Sequence, residues 1–122
     1  VAPAICYDLR FPELFRHLFW RGVQVFAVAA NWPAARHAHW ELLLRARAVE
    51  NQAWVLGVNR VGKDPFARYL GGSLIVSPRG EVVARGGDVE EVIEAEIDSQ
   101  NVQSWRDQFP VRQDMVKKLL GM

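Results

Sequence analysis

The chain has 122 residues, of which 50% are hydrophobic and 24% are charged. This composition allows one globular domain to bury a core and excludes a disordered chain. The formal net charge of +1 gives no electrostatic reason to expect a nucleic acid or a membrane as partner, and it leaves small neutral or anionic substrates open.

Cysteine content and hydropathy limit the cellular locations that we expect for the protein. The chain contains a single cysteine, so no disulfide can form within it, which favours a reducing, cytoplasmic location. No apolar run reaches the ~20 residues that a membrane-spanning helix needs, and the first residues lack the basic and apolar regions of a signal peptide. Because Val1 is not a methionine and the apolar run toward Cys6 begins at once, we interpret the chain as a fragment or a processed piece.

The first 30 residues predict a strand, a helix and a second strand. Residues 1–6 form a short apolar run typical of a buried strand that ends at Cys6. Pro12 suits a first helical turn and Gly22 a stop, so we expect a helix over residues 12–21. Residues 23–30 are nearly all apolar and rich in valine, which is typical of a strand covered on both faces.

The middle of the chain predicts a long helix followed by further strands. Apolar residues recur at helical spacing over residues 39–52, in a composition rich in Leu, Ala, Arg and Glu. Residues 54–59 follow as a buried strand, and residues 62–65 mark a loop. Residues 72–77 and 81–84 are expected to form two strands of a hairpin that turns through Pro78, Arg79 and Gly80.

The last part of the chain predicts one more strand and two short helices. Residues 92–97 alternate in polarity, as a strand with one wet face does. Helices are expected near residues 102–106 and 113–120. No internal repeat or linker interrupts this order, so residues 1–122 are expected to form one layered α/β domain.

Cys6 is the first candidate for chemistry. A lone cysteine is ordinarily a small buried hydrophobic residue. Here, however, it ends an apolar strand just before Asp8, Arg10 and a helix that begins at Pro12. Backbone N–H groups and a helix dipole at such a place favour a thiolate, which can attack a carbonyl or nitrile carbon and hold the acyl group as a thioester.

Acyl transfer through a thiolate also needs a base and a donor to the developing oxyanion. Histidine could supply the base, and His17, His37 and His39 are candidates by residue type. None of these histidines lies in a peptidase signature, so we interpret them as surface or helix-end residues rather than as half of a Cys–His pair.

An ordered set of short motifs resembles the carbon–nitrogen hydrolases, the nitrilase superfamily, in the form carried by omega-amidases. Each block alone is weak, whereas their shared order over almost the whole chain is highly specific. The blocks are Ile5 to Glu13 around Cys6, Ala30-Asn31-Trp32-Pro33, His39-Trp40, Arg45 to Gln52, Gly57 to Asp64, Gly72-Ser73, Ser77 to Glu81, and Arg106 with Phe109-Pro110.

The resemblance implies a role for several residues near the cysteine. Cys6 would be the nucleophile, and the backbone N–H of Tyr7 would help to bind the oxyanion. Asn31 and Trp32 would line the acyl pocket, although core packing is an alternative for Trp32.

The resemblance also implies supporting charges. Asp8 and Arg10 would fix the nucleophile loop through charge-assisted hydrogen bonds. Arg47 and Glu50 lie three apart on one helix face and would form a supporting ion pair, with a solvated surface pair as the alternative.

The same resemblance implies that the chain is the C-terminal part of a four-layer αββα sandwich, a single partial domain whose N-terminal half is absent. The family's general-base glutamate and oxyanion-binding lysine precede the cysteine in sequence. The isolated chain is therefore expected to be inactive and to expose sheet edges and apolar surface.

The implied function is hydrolysis of the terminal amide of a small carboxamide resembling 2-oxoglutaramate, through a cysteine thioester, with no metal or cofactor. The complete protein is expected to be a homodimer with a small-molecule amide as its partner. Two alternatives stay open: an inactive piece that serves structure or interaction, and another branch of the superfamily such as a nitrilase, an N-carbamoyl amidase or an acyl-transferring enzyme.

Overall fold

A computed structural model describes all residues, 1–122, as a five-stranded sheet with helices packed on it and a separate two-stranded hairpin. The strands are β1 (Ala2–Ile5), β2 (Val25–Ala30), β3 (Trp54–Asn59), β4 (Val61–Lys63), β5 (Arg68–Leu70), β6 (Leu74–Val76) and β7 (Val82–Arg85). The helices are α1 (Pro12–Trp20), α2 (His37–Asn51) and α3 (Ser99–Gln108). Short 3₁₀ turns cover Cys6–Arg10, Ala34–Arg36, Val111–Asp114 and Lys117–Leu120.

The large sheet has the order β1-β2-β3-β6-β7. Strands β1, β2 and β3 run parallel, and α1 and α2 connect them in turn. Strands β6 and β7 continue the sheet in antiparallel fashion beyond β3. The predicted α/β class, the three apolar strands and the hairpin formed by β6 and β7 are therefore present. None of the helices is long and apolar enough to cross a membrane.

The main core lies between one sheet face and the helices α1 and α2. Alternate strand residues point into it, because side chains in a strand alternate between the two faces. Gly57 in β3 lets α2 approach closely, since a Cβ atom there would lie 2.5 Å from Leu44. The residues of this core cluster include Ala2, Ala4, Phe15, Phe26, Val28, Trp40, Leu44, Val55, Leu74 and Val76.

The opposite face of the sheet is covered only in part. Val102 of α3 packs on Trp54 and Ile75, which form a small second cluster. Toward the carboxyl ends of β1 and β3 the face is open, and the side chains of Ile5 and Val58 are 69% and 62% exposed. An apolar sheet face of this kind is a surface that proteins normally cover.

Three sequence predictions differ from the structure. Residues 92–97 form no strand. Only Ile93 packs on the second cluster, and Val92 is 85% exposed. Alternating polarity does not produce a strand when no neighbouring strand is there to hydrogen-bond with it. Residues 113–120 form two 3₁₀ turns separated at Met115 and Val116 instead of one helix. The loop predicted at residues 62–65 is part of the β4–β5 hairpin, in which the Asp64 carboxylate accepts hydrogen bonds from the N–H groups of Phe66 and Ala67 at the turn.

The half-buried Arg106 guanidinium fastens α3 to the rest of the domain. It donates hydrogen bonds to the carbonyl oxygens of Val23, Asn51 and Gln52, at 2.6, 3.2 and 3.2 Å. It also lies over the Phe19 ring, 4.8 Å from the ring centroid. Burial lowers the pKa of Arg106 to about 10, and the three carbonyl oxygens offset only part of the desolvation of its charge.

We predict that Arg106→Ala lowers the free energy of unfolding by about 2–4 kcal/mol, because three carbonyl groups lose a charged donor. Equilibrium urea denaturation measures the change. Arg21→Ala removes an exposed arginine and is the matched control, expected to change stability by less than ~0.5 kcal/mol. Equal stability of the two variants would contradict the role of Arg106.

Candidate active site

The carboxyl ends of the three parallel strands bring the candidate residues to one edge of the sheet. Ile5 pairs with Ala29 across β1 and β2, and Ala30 pairs with Asn59 across β2 and β3. The residues that follow these strands, Cys6, Asn31 and Arg60, therefore lie side by side. In open sheets with parallel strands, this edge is where ligands bind.

Cys6 stands out by its backbone conformation. Its φ angle is +43°, and the only other non-glycine residue with positive φ is Gln52, at the end of α2. A left-handed conformation costs a residue with a side chain on the order of 1–2 kcal/mol, and such strain concentrates at functional sites. The thiol is half-buried, and its Sγ lies 3.8 Å from the carbonyl oxygen of Asn31.

Hydrogen bonds hold the turn that carries Cys6 at both of its ends. The Asp8 carboxylate accepts a hydrogen bond from the N–H of Ile5 at 2.9 Å. At the other end, Arg47 donates to the carbonyl oxygen of Leu9 through Nε and Nη2, at 3.1 and 2.8 Å. The third guanidinium nitrogen of Arg47 pairs with Glu50 at 2.9 Å, and because the Arg47 side chain is only 5% exposed, this is a supporting ion pair and not a solvated one.

The remaining predicted residues near Cys6 differ in how they face solvent. Asn31 is exposed, and its carbonyl group faces the Cys6 thiol. The Tyr7 side chain is 68% exposed and packs edge-on against Phe11. The structure thus brings Cys6, Tyr7 and Asn31 together at an open strand end.

The Trp32 side chain lies in the main core. It is 3% exposed, and its indole N–H donates to the carbonyl oxygen of Arg36 at 2.7 Å. Its ring packs on Trp40, with the ring centroids 5.6 Å apart. The Arg10 guanidinium also lies over the Trp32 ring, 5.0 Å from its centroid, and its Nη2 lies 3.0 Å from His39 Nδ1. The sequence had suggested that the Arg10 side chain fixes the nucleophile turn. In the structure it contacts Trp32 and His39 instead.

Sequence reasoning missed Asn59, which fixes the segment opposite Cys6. Its buried amide oxygen accepts from the N–H of Trp32 at 2.7 Å, and its amide nitrogen donates to the carbonyl oxygen of Gly71 at 2.8 Å. Its own backbone N–H donates to the Ser73 hydroxyl at 3.0 Å. An asparagine that ends an otherwise apolar strand was the available signal, since a buried amide needs partners.

A second missed group consists of Arg60, Asp64 and Tyr69. Tyr69 donates its hydroxyl hydrogen to Asp64 at 2.7 Å, and Arg60 pairs with the same carboxylate at 3.2 Å. The Arg60 guanidinium also lies over the Tyr69 ring, 4.6 Å from its centroid. Tyr69 is bridged to Pro33, which places the β4–β5 hairpin beside the Asn31–Trp32 segment.

The charges of this group shift two pKa values in opposite directions. The hydrogen bond from Tyr69 lowers the pKa of the Asp64 carboxyl, with two backbone N–H groups adding to the effect. The same hydrogen bond raises the pKa of the Tyr69 phenol.

Comparison with known proteins gives the family. The sequence model of the family described as "Carbon-nitrogen hydrolase" matches residues 1–107. The chain therefore belongs to the carbon–nitrogen hydrolases, the nitrilase superfamily, as the motifs around Cys6 predicted.

Individual relatives agree with this assignment. The 2-oxoglutaramate amidase of Bacillus subtilis (strain 168) is 44% identical over 115 residues, which cover 94% of this chain and 44% of that protein. The Caenorhabditis elegans NitFhit protein has a TM-score of 0.90 at 38% identity, covering 97% of this chain and 29% of that one. A glutamate-to-glutamine mutant of an amidase from Nesterenkonia sp. AN1 has a TM-score of 0.73 at 27% identity, covering 93% of this chain and 44% of that one. That structure shows Michael addition of acrylamide at the active-site cysteine. The chain thus spans about half the length of the curated relatives it matches.

We predict that Asn59→Ala lowers the free energy of unfolding by about 1–3 kcal/mol, because the N–H of Trp32 and the carbonyl oxygen of Gly71 lose their buried partner. Thermal and urea denaturation measure the effect. Asn101→Ala, at an exposed position of α3, is the matched control and should leave stability unchanged. A neutral Asn59 variant would show that the Asn31–Trp32 segment is held by other contacts.

Proposed function

We propose that the protein carrying this chain is an amidase that hydrolyses the terminal amide of a small carboxamide resembling 2-oxoglutaramate. The observation that carries the proposal is the Cys6 thiol, held in a left-handed turn at the carboxyl end of a parallel strand. The family assignment and the 2-oxoglutaramate amidase relative support the substrate class. An active-site cysteine in the related Nesterenkonia amidase supports the nucleophile, since Cys6 is the only cysteine in this chain.

The proposed reaction passes through a thioester. The Cys6 sulfur attacks the amide carbon, its proton goes to the leaving nitrogen, and ammonia departs. Water then attacks the thioester, which releases the carboxylic acid and returns the thiol. The backbone N–H of Tyr7 binds the oxyanion in both steps. Asn31 lines the acyl pocket together with the backbone of Trp32, whose ring lies in the main core.

The base and the cationic donor come, in this proposal, from outside the chain. Several carboxylates of the chain already have partners: Glu41 pairs with Arg85 at 2.8 Å, and Glu50 pairs with Arg47. We propose that a glutamate and a lysine reach Cys6 from an N-terminal half, whose sheet covers the open face around Ile5 and Val58. Residues 1–122 are then the C-terminal part of a four-layer αββα sandwich, inactive without the other part.

The proposal extends to the assembly and location of the enzyme. The outer face of α2 carries Leu42 and Val49, whose side chains are 66% and 54% exposed. These residues line a groove with the turn before β7, and a second copy of the protein would bury them in a homodimer. A single free thiol fits a reducing cytoplasm.

We predict that the complete protein, incubated with 2-oxoglutaramate and quenched in acid, carries an acyl adduct on Cys6 that intact-mass and peptide mass spectrometry detect. Cys6→Ser should form no thioester and release ammonia at a rate lower by at least on the order of 10³-fold. The double variant Cys6→Ser with Ser104→Cys moves the thiol to an exposed position of α3. It is the matched control and should stay unmodified.

The result also separates the proposal from its alternative. If the wild-type protein neither forms an adduct nor releases ammonia from any small amide, the catalytic proposal is wrong. The open sheet face around Ile5 and Val58 would then favour the other reading, in which the chain is a structural or interaction piece.

A further inference from the structure

We infer that a cleft at the edge of the sheet remote from Cys6 binds a free α-amino acid. Two arginines, Arg106 and Arg112, bind its carboxylate, and Gln52 and Asp107 accept hydrogen bonds from its ammonium group. The inference does not depend on the proposed amidase activity, because none of these four residues belongs to the site around Cys6.

The cleft lies at the amino ends of β2 and β3, between these strands, α3 and the 3₁₀ turn Val111–Asp114. Its volume is about 440 Å³, which is enough for a small organic molecule. Cys6 follows the carboxyl end of β1, which pairs in parallel with the six-residue strand β2. The length of that strand, about 20 Å, separates the cleft from the thiol, so the two sites are distinct.

The lining of the cleft is polar. Apart from Gly22 and Pro110, every residue that lines it carries an amide or a charge, namely four glutamines, two arginines and one aspartate. By contrast, the groove beside α2 contains the apolar side chains of Leu42 and Val49. A lining that combines donors and acceptors in this way suits a small ligand that carries both kinds of charge.

Both arginines keep N–H groups for a ligand. Arg106 uses Nε and Nη2 on main-chain carbonyl groups, which leaves Nη1 without a partner in the chain. Arg112 uses Nη2 on the carbonyl group of Trp20 and leaves Nε and Nη1. Neither guanidinium has a carboxylate within 4.0 Å, so no ion pair within the chain neutralises the two charges.

The electrostatics of the cleft favour an anion beside the arginines. Burial lowers the pKa of Arg106 to about 10, and the charge of Arg112 adds to the effect. The Arg106 guanidinium therefore stays protonated at neutral pH, although carbonyl oxygens offset only part of its desolvation. A carboxylate placed against both arginines would offset more of it, because charge-assisted hydrogen bonds to an anion are stronger than those to a carbonyl group.

Gln52 supplies an acceptor that has no partner in the chain. Its side chain lines the cleft and is buried, with 1% exposure. Its Nε2 donates to the carbonyl oxygen of Phe109 at 2.9 Å, which fixes the orientation of the amide and leaves Oε1 without a hydrogen bond. Since buried amide oxygens normally have a partner, a donor on the ligand fits this position.

The backbone of Gln52 is a second sign that its side chain has a function. Its φ angle is +45° at the end of α2, where a glycine would be relaxed. Apart from Cys6 it is the only residue with a side chain in this conformation, and such strain concentrates at functional sites.

Asp107 gives the ammonium group a charged partner. It lines the cleft one residue after Arg106, and its Oδ1 accepts from Gln103 at 2.9 Å, which leaves Oδ2 for a ligand. A simple anion would leave Asp107 and Gln52 without donors, and a simple amine would leave both arginines without an anion. An amino acid matches all four groups.

The test measures how three unbranched probes bind to the complete protein, by isothermal titration calorimetry. L-Norvaline carries both charges, pentanoate only the carboxylate and butylamine only the ammonium group, and none has an amide that Cys6 could hydrolyse. We expect norvaline to bind at least about 10-fold more tightly than either of the others, because each of them lacks one set of charge-assisted contacts. Inorganic phosphate is a fourth probe and should also bind more weakly than norvaline.

Variants assign the binding to the cleft. Arg112→Gln should weaken norvaline binding on the order of 10- to 100-fold, and Arg112→Lys should recover part of the loss. Asp107→Asn should weaken the binding of norvaline without weakening that of pentanoate, which has no ammonium group. Arg21→Gln removes the same charge from an exposed residue outside the cleft. It is the matched control and should keep the norvaline affinity within about 3-fold, and circular dichroism checks that each variant is folded.

Several results would overturn the inference. They are a wild-type protein that does not bind norvaline, an affinity for pentanoate or phosphate equal to that for norvaline, and a folded Arg112→Gln variant with unchanged norvaline affinity. None of them bears on the proposed amidase, because release of ammonia from 2-oxoglutaramate is measured separately.

Discussion

The buried guanidinium of Arg47 is the contact on which the candidate site depends. It reaches from α2 to the carbonyl oxygen of Leu9 with two nitrogens and keeps the third for Glu50. The turn from Cys6 to Arg10 places one residue, Leu9, in the main core, and Cys6 packs against that core. The charge-assisted fork on the Leu9 carbonyl group adds a polar anchor at the end of this short turn.

The large sheet positions the other residues of the site. Because α1 and α2 cover one face, the parallel strands β1, β2 and β3 are held in register, and their ends place Cys6, Asn31 and Arg60 next to one another. Asn59 then secures the backbone opposite the thiol through buried hydrogen bonds to Trp32 and Gly71. The site is thus built from strand ends, with helices acting only as supports.

The sequence was informative wherever apolar patterns and turn residues acted locally. The three buried strands, the helix after Pro12 and the hairpin around Gly80 follow from such patterns. The segment 92–97 shows their limit, because alternation predicts a strand only when a neighbouring strand is free to pair with it. The partners of Asn59 and the Arg60–Asp64–Tyr69 group could not be read from the sequence, since they depend on long-range approach of strand ends and a hairpin. The Arg47–Glu50 pair was visible from its helical spacing, whereas its contact with Leu9, 38 residues away, was not.

The left-handed backbone at Cys6 is a conformation that glycine adopts more easily than cysteine does. At φ +43° a glycine would be relaxed, and the proposed nucleophilic role gives a reason for a cysteine to stand there instead. A lineage that stopped using the sulfur would gain stability by losing it, and this position should therefore be among the first to drift once catalysis is abandoned.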